Sequence, residues 1–164
     1  MKTKIVFIIY LVLIMLRLSK LTDYAIVIAC YCARQPKAMH TAAEISGTVG
    51  IALPTVKKIL KTMTQQHLFE SIRGAHGGYR IAADPKDITV AQIIAALEGP
   101  IGLTECTQAD NQCQQADGCD IRGNWALINQ AIKQALESIT LADMVKPAVR
   151  ELPIAFSQLK HAAR

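Results

Sequence analysis

The stretch over residues 40–85, HTAAEISGTVGIALPTVKKILKTMTQQHLFESIRGAHGGYRIAADP, constrains the fold more than any other part of the chain. Thr41 with Glu44 three places on is a capping pair for a short helix, and Gly50 closes that helix. Pro54 then suits the first turn of a second helix through LPTVKKILKTMTQQHL. Two helices joined across a glycine-containing turn are a helix-turn-helix. Short β-prone runs follow on either side of Gly74, Gly77 and Gly78, and these glycines are expected to supply positive φ at a hairpin turn. A hairpin directly after a helix-turn-helix is a wing. The expected fold class is therefore mainly α with a small β-wing, and a chain of 164 residues suffices for one such unit with appendages.

Charge is distributed as this architecture would use it. The chain carries a formal +5, and residues 53–80 hold Lys57, Lys58, Lys61, Arg73 and Arg80 against Glu70 alone. A recognition helix lies in the major groove with its N-terminal residues at base edges. Pro54, Thr55, Lys57 and Lys58 occupy that end here, with Lys61 one turn further. Lysine binds either phosphate or guanine, so its individual contacts are left open. Arg73, at the tip of the first strand, is placed to enter a minor groove. The bland reading of these lysines is a solvated basic face on a helical bundle; coupled to a wing, the pattern favours double-stranded DNA. Tyr79 is expected to pack the hairpin on the helices, His76 to be a tolerant turn residue, and His67 to lie on the surface.

The flanking segments read as helices. Leu18, Leu21, Ala25 and Ile28 form one stripe of a helix that runs to about Arg34, before Pro36 breaks it. Cys30 and Cys32 in that helix point to different sides, which suits small core residues rather than joint ligands. ITVAQIIAALEG is a further helix entered near Thr89 and closed by Gly99 and Pro100. A last long helix carries Trp125, Ile128, Ile132, Leu136 and Ile139 at spacings of three and four, a stripe that is expected to bury itself against a second copy of the chain. A separate short turn begins at Thr140.

Between those helices lies ECTQADNQCQQADGCD, with three cysteines, four carboxylates and no basic residue. Cys106, Cys113 and Cys119 are separated by six and five residues, unlike the close pairs of structural zinc sites. Thiolates also hold iron–sulfur clusters. A core role fails because the neighbours are Gln, Asp, Asn and Gly. A thiol-disulfide switch would leave the third cysteine without a partner, and a thiol oxidoreductase lacks a Cys-x-x-Cys pair after a strand. Five cysteines exclude a fully paired disulfide framework, and reduced thiols in the cytoplasm are the expectation. No enzyme chemistry is required. Residues 5–16 are an apolar run after MKTK, with no small-residue cleavage site and too short to span a bilayer comfortably. Met15 opens MLRLSKLTDYA, so residues 1–14 are read as an extension from an upstream start, with a weak membrane anchor as the rival and no membrane partner expected.

LSKLTDYA, AEISGTVGIALPTVKKILK, IRGAHGGYRI, the spaced cysteines and NWALINQAIKQALESITLADM together resemble the IscR and NsrR family of winged-helix iron–sulfur transcription regulators, from Met15 to Val145. LPTVKKIL and the Arg-Gly-Asn-Trp run are most similar to the SufR-like regulators of Suf cluster-assembly operons. The resemblance implies a homodimer crossed at the long helix (Trp125, Ile128, Ile132, Leu136), a palindromic operator, and a 2Fe-2S or 4Fe-4S cluster on Cys106, Cys113 and Cys119 that tunes DNA affinity, with repression of cluster-assembly genes. A nitric oxide or redox-stress sensor of the same fold is the alternative. IscR-type members have a histidine three residues after the third cysteine, where this chain has Arg122, whose guanidinium cannot ligate. The resemblance points to Asp23 of the partner subunit as fourth ligand; the competing readings are a favourable charge in the first helical turn, or ligation by Glu105, Asp117 or Asp120. The implied division is an extension at 1–14, a winged helix-turn-helix at 15–99, a cysteine loop at 100–121, and a dimerisation helix with tail at 122–164.

Overall fold

The computed structural model describes residues 18–74, 77–107, 113 and 119–146. Residues 1–17 with Met15, His76, Asp110, Asp117 and the tail beyond Lys146 lie outside the described residues. Six α-helices, one two-stranded antiparallel sheet and one 3₁₀ turn make up the described chain.

Helix α1 (Lys20–Ala33) begins at Ser19, whose hydroxyl accepts from the Thr22 N–H. Its face of Ala25, Ile28, Ala29 and Cys32 is buried at the centre of the core. Leu18 precedes the helix and is 42% exposed, so it is not part of the buried stripe. Helix α2 (Ala42–Val49) starts in a complete capping box of Thr41 and Glu44 and ends at Gly50 with φ +70°, as the residue types dictate. Helix α3 (Leu53–Gln65) carries Pro54 in its first turn and buries Val56, Ile59, Leu60 and Met63. After it, His67 adopts φ +58° and lies exposed, and the chain enters β1 (Phe69–Ile72).

Strand β1 pairs with β2 (Gly78–Ile81), Phe69 opposite Ile81 and Ile72 opposite Gly78. The expectation that all three wing glycines supply positive φ holds for Gly74 alone, at φ +120°. Gly77 and Gly78 serve a different need. A Cβ on Gly77 would collide with the Ile72 carbonyl oxygen, and one on Gly78 would stand 2.7 Å from the His40 carbonyl oxygen. Tyr79, partly buried on the core, exchanges both backbone bonds with His40, at 2.9 and 2.8 Å. The wing is thus stitched to the start of the helix-turn-helix at Gly78, where only a residue without a side chain fits, while Gly77 has to be bare for the hairpin itself to close.

Helix α4 (Val90–Glu98) starts in a second capping box, Thr89 with Gln92, and ends at Gly99. A 3₁₀ turn (Glu105–Thr107) precedes α5 (Arg122–Glu137), none of whose residues is buried. Helix α5 stops at Glu137, so Ile139 falls outside it; the Ile139 carbonyl instead accepts the Val90 N–H at 2.9 Å. Thr140 then caps α6 (Leu141–Val145), which packs back on α1 and inserts Leu141, fully buried, into the core.

Candidate DNA-binding surface and cysteine segment

Helix α3 owes its position to its own pattern. Burial of Val56, Ile59, Leu60 and Met63 turns Lys57, Lys58 and Lys61 outward, all three exposed, with Thr55 half-buried at the same end. Arg73 is exposed at the end of β1. Among the described residues no ion pair engages Lys57, Lys58, Lys61 or Arg73. Arg80 differs: its Nη2 stands 2.8 Å from Glu70 Oε2 across the wing, and its Nε–H donates to the same oxygen at 2.9 Å. Within residues 53–80 the basic set open to a partner is therefore smaller than composition suggests: Lys57, Lys58 and Lys61 on the helix and Arg73 at the wing tip.

His40 organises the junction behind that surface. Its ring is buried, with Nδ1 3.0 Å from Glu44 Oε1, while the Tyr31 hydroxyl donates to the same oxygen at 3.1 Å and the two rings meet edge to face at 5.0 Å. The hydrogen bond from His40 is the main cause that holds the Glu44 carboxyl below its ordinary range. No sequence pattern marked His40, because its partners Tyr31 and Tyr79 lie on other elements.

Cys106 sits in the 3₁₀ turn, with Cys113 and Cys119 also half-buried; all five cysteines are free thiols. The described residues gather no group of three or more His, Cys, Asp or Glu within reach of one metal ion. Cys106 Sγ is 3.1 Å from the Thr104 hydroxyl. In contrast, burial pushes the Cys32 thiol up to about 12, and burial also raises Cys30, which packs half-buried on the core. Cys30 and Cys32 thus serve packing, and Cys106, Cys113 and Cys119, soft donors on a polar segment, are the thiols available to an iron–sulfur group.

Asp23 is exposed in the first turn of α1. Beside it, Glu98 at the end of α4 accepts from the Thr22 hydroxyl at 2.6 Å and from the Ser19 N–H at 2.7 Å. The bond from buried Thr22 is the leading cause that depresses the Glu98 carboxyl. Sequence reasoning missed Glu98, although a signal existed. A carboxylate at a helix C-terminus is opposed by the macrodipole, so its presence there points to a tertiary partner. Of the stripe on α5, Trp125, Ile132 and Leu136 are half-buried and Ile128 is 46% exposed, with Leu127 beside it at 43%. Among the described residues no helix is long and apolar enough to cross a membrane.

A helix-turn-helix with a stitched wing and an outward lysine row defines a winged-helix DNA-binding transcription regulator. The sequence profile of Rrf2, described as an iron-dependent transcriptional regulator, matches residues 18–147, and the chain belongs to that family. It is 30% identical over 135 residues to the HTH-type transcriptional regulator NsrR of Bacillus subtilis, covering 80% of this chain and 91% of that protein. It is 32% identical over 104 residues to the regulator IscR of Vibrio campbellii, covering 63% of this chain and 61% of that protein. Among solved structures, CymR, the global cysteine regulator of B. subtilis, superposes with a TM-score of 0.64 at 29% identity over 80% of this chain and 97% of that one. IscR of T. potens superposes with a TM-score of 0.61 at 26% identity, over 79% and 86%. These relatives are transcription regulators and not enzymes, and so is this chain.

Proposed function

We propose that this regulator works in the cytoplasm as a homodimer on a palindromic operator, represses genes of iron–sulfur cluster assembly, and reads cluster supply through its own cysteine segment. In this reading Cys106, Cys113 and Cys119 hold a 2Fe-2S or 4Fe-4S group, and Asp23 of the partner subunit supplies a fourth, harder ligand. The group, when bound, supplies a labile iron–thiolate assembly whose loss or change of state reports on the cell. The chain's residues do the rest: Thr55, Lys57, Lys58 and Lys61 meet the major groove, Arg73 the minor groove, and Trp125, Ile128, Ile132 and Leu136 the second subunit. Residues 15–99 act as the DNA-binding head, 100–121 as the sensing loop and 122–164 as the pairing arm, from which α6 returns to close the core of the head.

One observation carries this reading: three free, half-buried thiols stand on a polar segment of a chain whose family is described as iron-dependent. The deciding experiment is anaerobic purification with iron and sulfide assays, visible absorption, and titration of a promoter fragment with and without bound iron. The wild type is expected to carry iron and sulfide and to change its DNA affinity when they are removed. Full iron in the Cys113→Ser protein would sink the three-thiolate set. Asp23→Ala against Glu105→Ala and Asp120→Ala, compared by spectrum and operator affinity, separates the cross-subunit ligand from a local one.

A further inference from the structure

Asn129 stands within α5, half-buried. Its amide grips the segment that leads into the cysteine turn at two points. The Leu103 N–H donates to Asn129 Oδ1 at 3.1 Å, and Asn129 Nδ2 donates to the Ile101 carbonyl at 3.3 Å. A side-chain amide that accepts from one residue and donates to the residue two places earlier does for an extended strand what a neighbouring strand would do. Directly downstream the turn is closed by its own bonds. The Thr107 hydroxyl donates to the Thr104 carbonyl at 2.8 Å, and the Thr104 N–H donates to the Thr107 hydroxyl at 3.2 Å. The Thr104 hydroxyl stands 3.1 Å from Cys106 Sγ. A connection of hydrogen bonds, joined by the Leu103–Thr104 peptide bond, therefore runs from the middle of α5 to the first cysteine of the segment.

We propose that Asn129 is the positioning residue that holds Cys106 in place for ligation, and that through it the sensing segment is fastened to α5. The purpose of this clamp rests on the cluster reading above, while its geometry rests on the hydrogen bonds alone. Helix propensity by itself favours alanine or leucine at such a place, and asparagine competes with the helix through its side chain. Here that side chain is committed outside the helix, to backbone groups that no other described element satisfies.

The test compares wild type, Asn129→Leu, Asn129→Asp and, as control, Gln130→Leu at the exposed neighbouring position. Iron-free protein is treated with iodoacetamide, and the modification of each cysteine is followed by peptide mass spectrometry, with far-ultraviolet circular dichroism as the check on folding. Loss of both bonds in Asn129→Leu should raise the Cys106 rate about ten-fold. Asn129→Asp keeps the acceptor for Leu103 but sets a carboxylate against the Ile101 carbonyl, and should lie between. The Cys30 and Cys32 rates, and every rate in Gln130→Leu, should stay as in wild type. After anaerobic reconstitution the two Asn129 variants should show an altered visible circular dichroism spectrum and faster bleaching in air. An unchanged Cys106 rate in the folded variants overturns the proposal, and Asn129→Asp decides it alone should Asn129→Leu fail to fold. A wild type that takes up neither iron nor sulfide overturns the cluster reading, and the alkylation rates still decide the clamp.

Discussion

Gly78→Ala isolates the seam between wing and helix-turn-helix. The added Cβ would stand 2.7 Å from the His40 carbonyl oxygen and 3.0 Å from its carbonyl carbon, whereas ordinary contact begins at 3.4 Å. The two backbones must part by about 0.7 Å, a gap large on the scale of van der Waals contact. The bonds between His40 and Tyr79, now 2.9 and 2.8 Å, are then stretched past useful length. Each is worth about 0.5–1.5 kcal/mol net, and the alanine returns about 0.4–1 kcal/mol by restricting the unfolded chain. At the centre of these ranges the two lost bonds less the return leave a net loss of about 1 kcal/mol, or a Tm lower by a few degrees in a domain of this size. Because Arg73 directly follows the strand paired with this one, affinity for a promoter fragment should fall as well. Urea unfolding followed by circular dichroism, with gel-shift titration of the same preparations, measures both. Gly47→Ala is the control: it meets nothing within 4 Å in α2 and should stabilise, by about 0.5–1 kcal/mol. Wild-type stability and DNA affinity in Gly78→Ala would refute the close-approach argument.

Three further outcomes are expected. The Glu98 carboxyl is held below its ordinary range in the folded protein, chiefly by the bond from Thr22, so its contribution is present above that range and is lost as pH falls through the depressed value; Glu98→Gln should flatten the acid limb of a stability-against-pH curve, and an unaltered limb would assign acid sensitivity elsewhere. Removing Lys57 and Lys58 should weaken DNA binding and reduce the slope of log affinity against log salt by roughly 0.9 for each phosphate they neutralise; an unchanged slope would mean that neither lysine meets phosphate. Ile132→Asp sets a charge where an apolar side chain worth roughly 1.5–3 kcal/mol on burial is expected to meet the second subunit, and a dimer that persists in sedimentation would remove Ile132 from the interface.

The local rules of the chain were legible wherever one residue type answers one local need. Thr41 with Glu44, Gly50 and Pro54 all do in the structure what their chemistry requires, and the alternation of core and lysine positions on α3 follows from helical period alone. Contacts between distant elements were not legible. His40 joins α1, α2 and β2, and Glu98 joins the start of α1 to the end of α4, through partners up to 79 residues apart. Gly78 misled for the same reason, since its lack of a Cβ serves His40 on another element, and Gly77 misled because its bareness serves the facing carbonyl of its own hairpin and not a torsion angle. The α5 stripe was extended to Ile139 because periodicity does not register where a carbonyl leaves the helix to bridge another element.

The return of α6 to the core ties the order of synthesis to the order of assembly. Leu141 is fully buried among residues of the core, against a helix made more than a hundred residues earlier. Leaving out a buried leucine costs about 2–5 kcal/mol, a large part of the roughly 5–15 kcal/mol that holds an ordinary domain together. A nascent chain whose helix-turn-helix and wing have already emerged from the ribosome is still missing a wall of its interior until residue 141 follows. By then the cysteine segment and α5 have necessarily been made. The core around the helix-turn-helix is therefore completed only on a chain that already carries its cysteine segment, and a chain cut short upstream of Leu141 keeps a hole in that core.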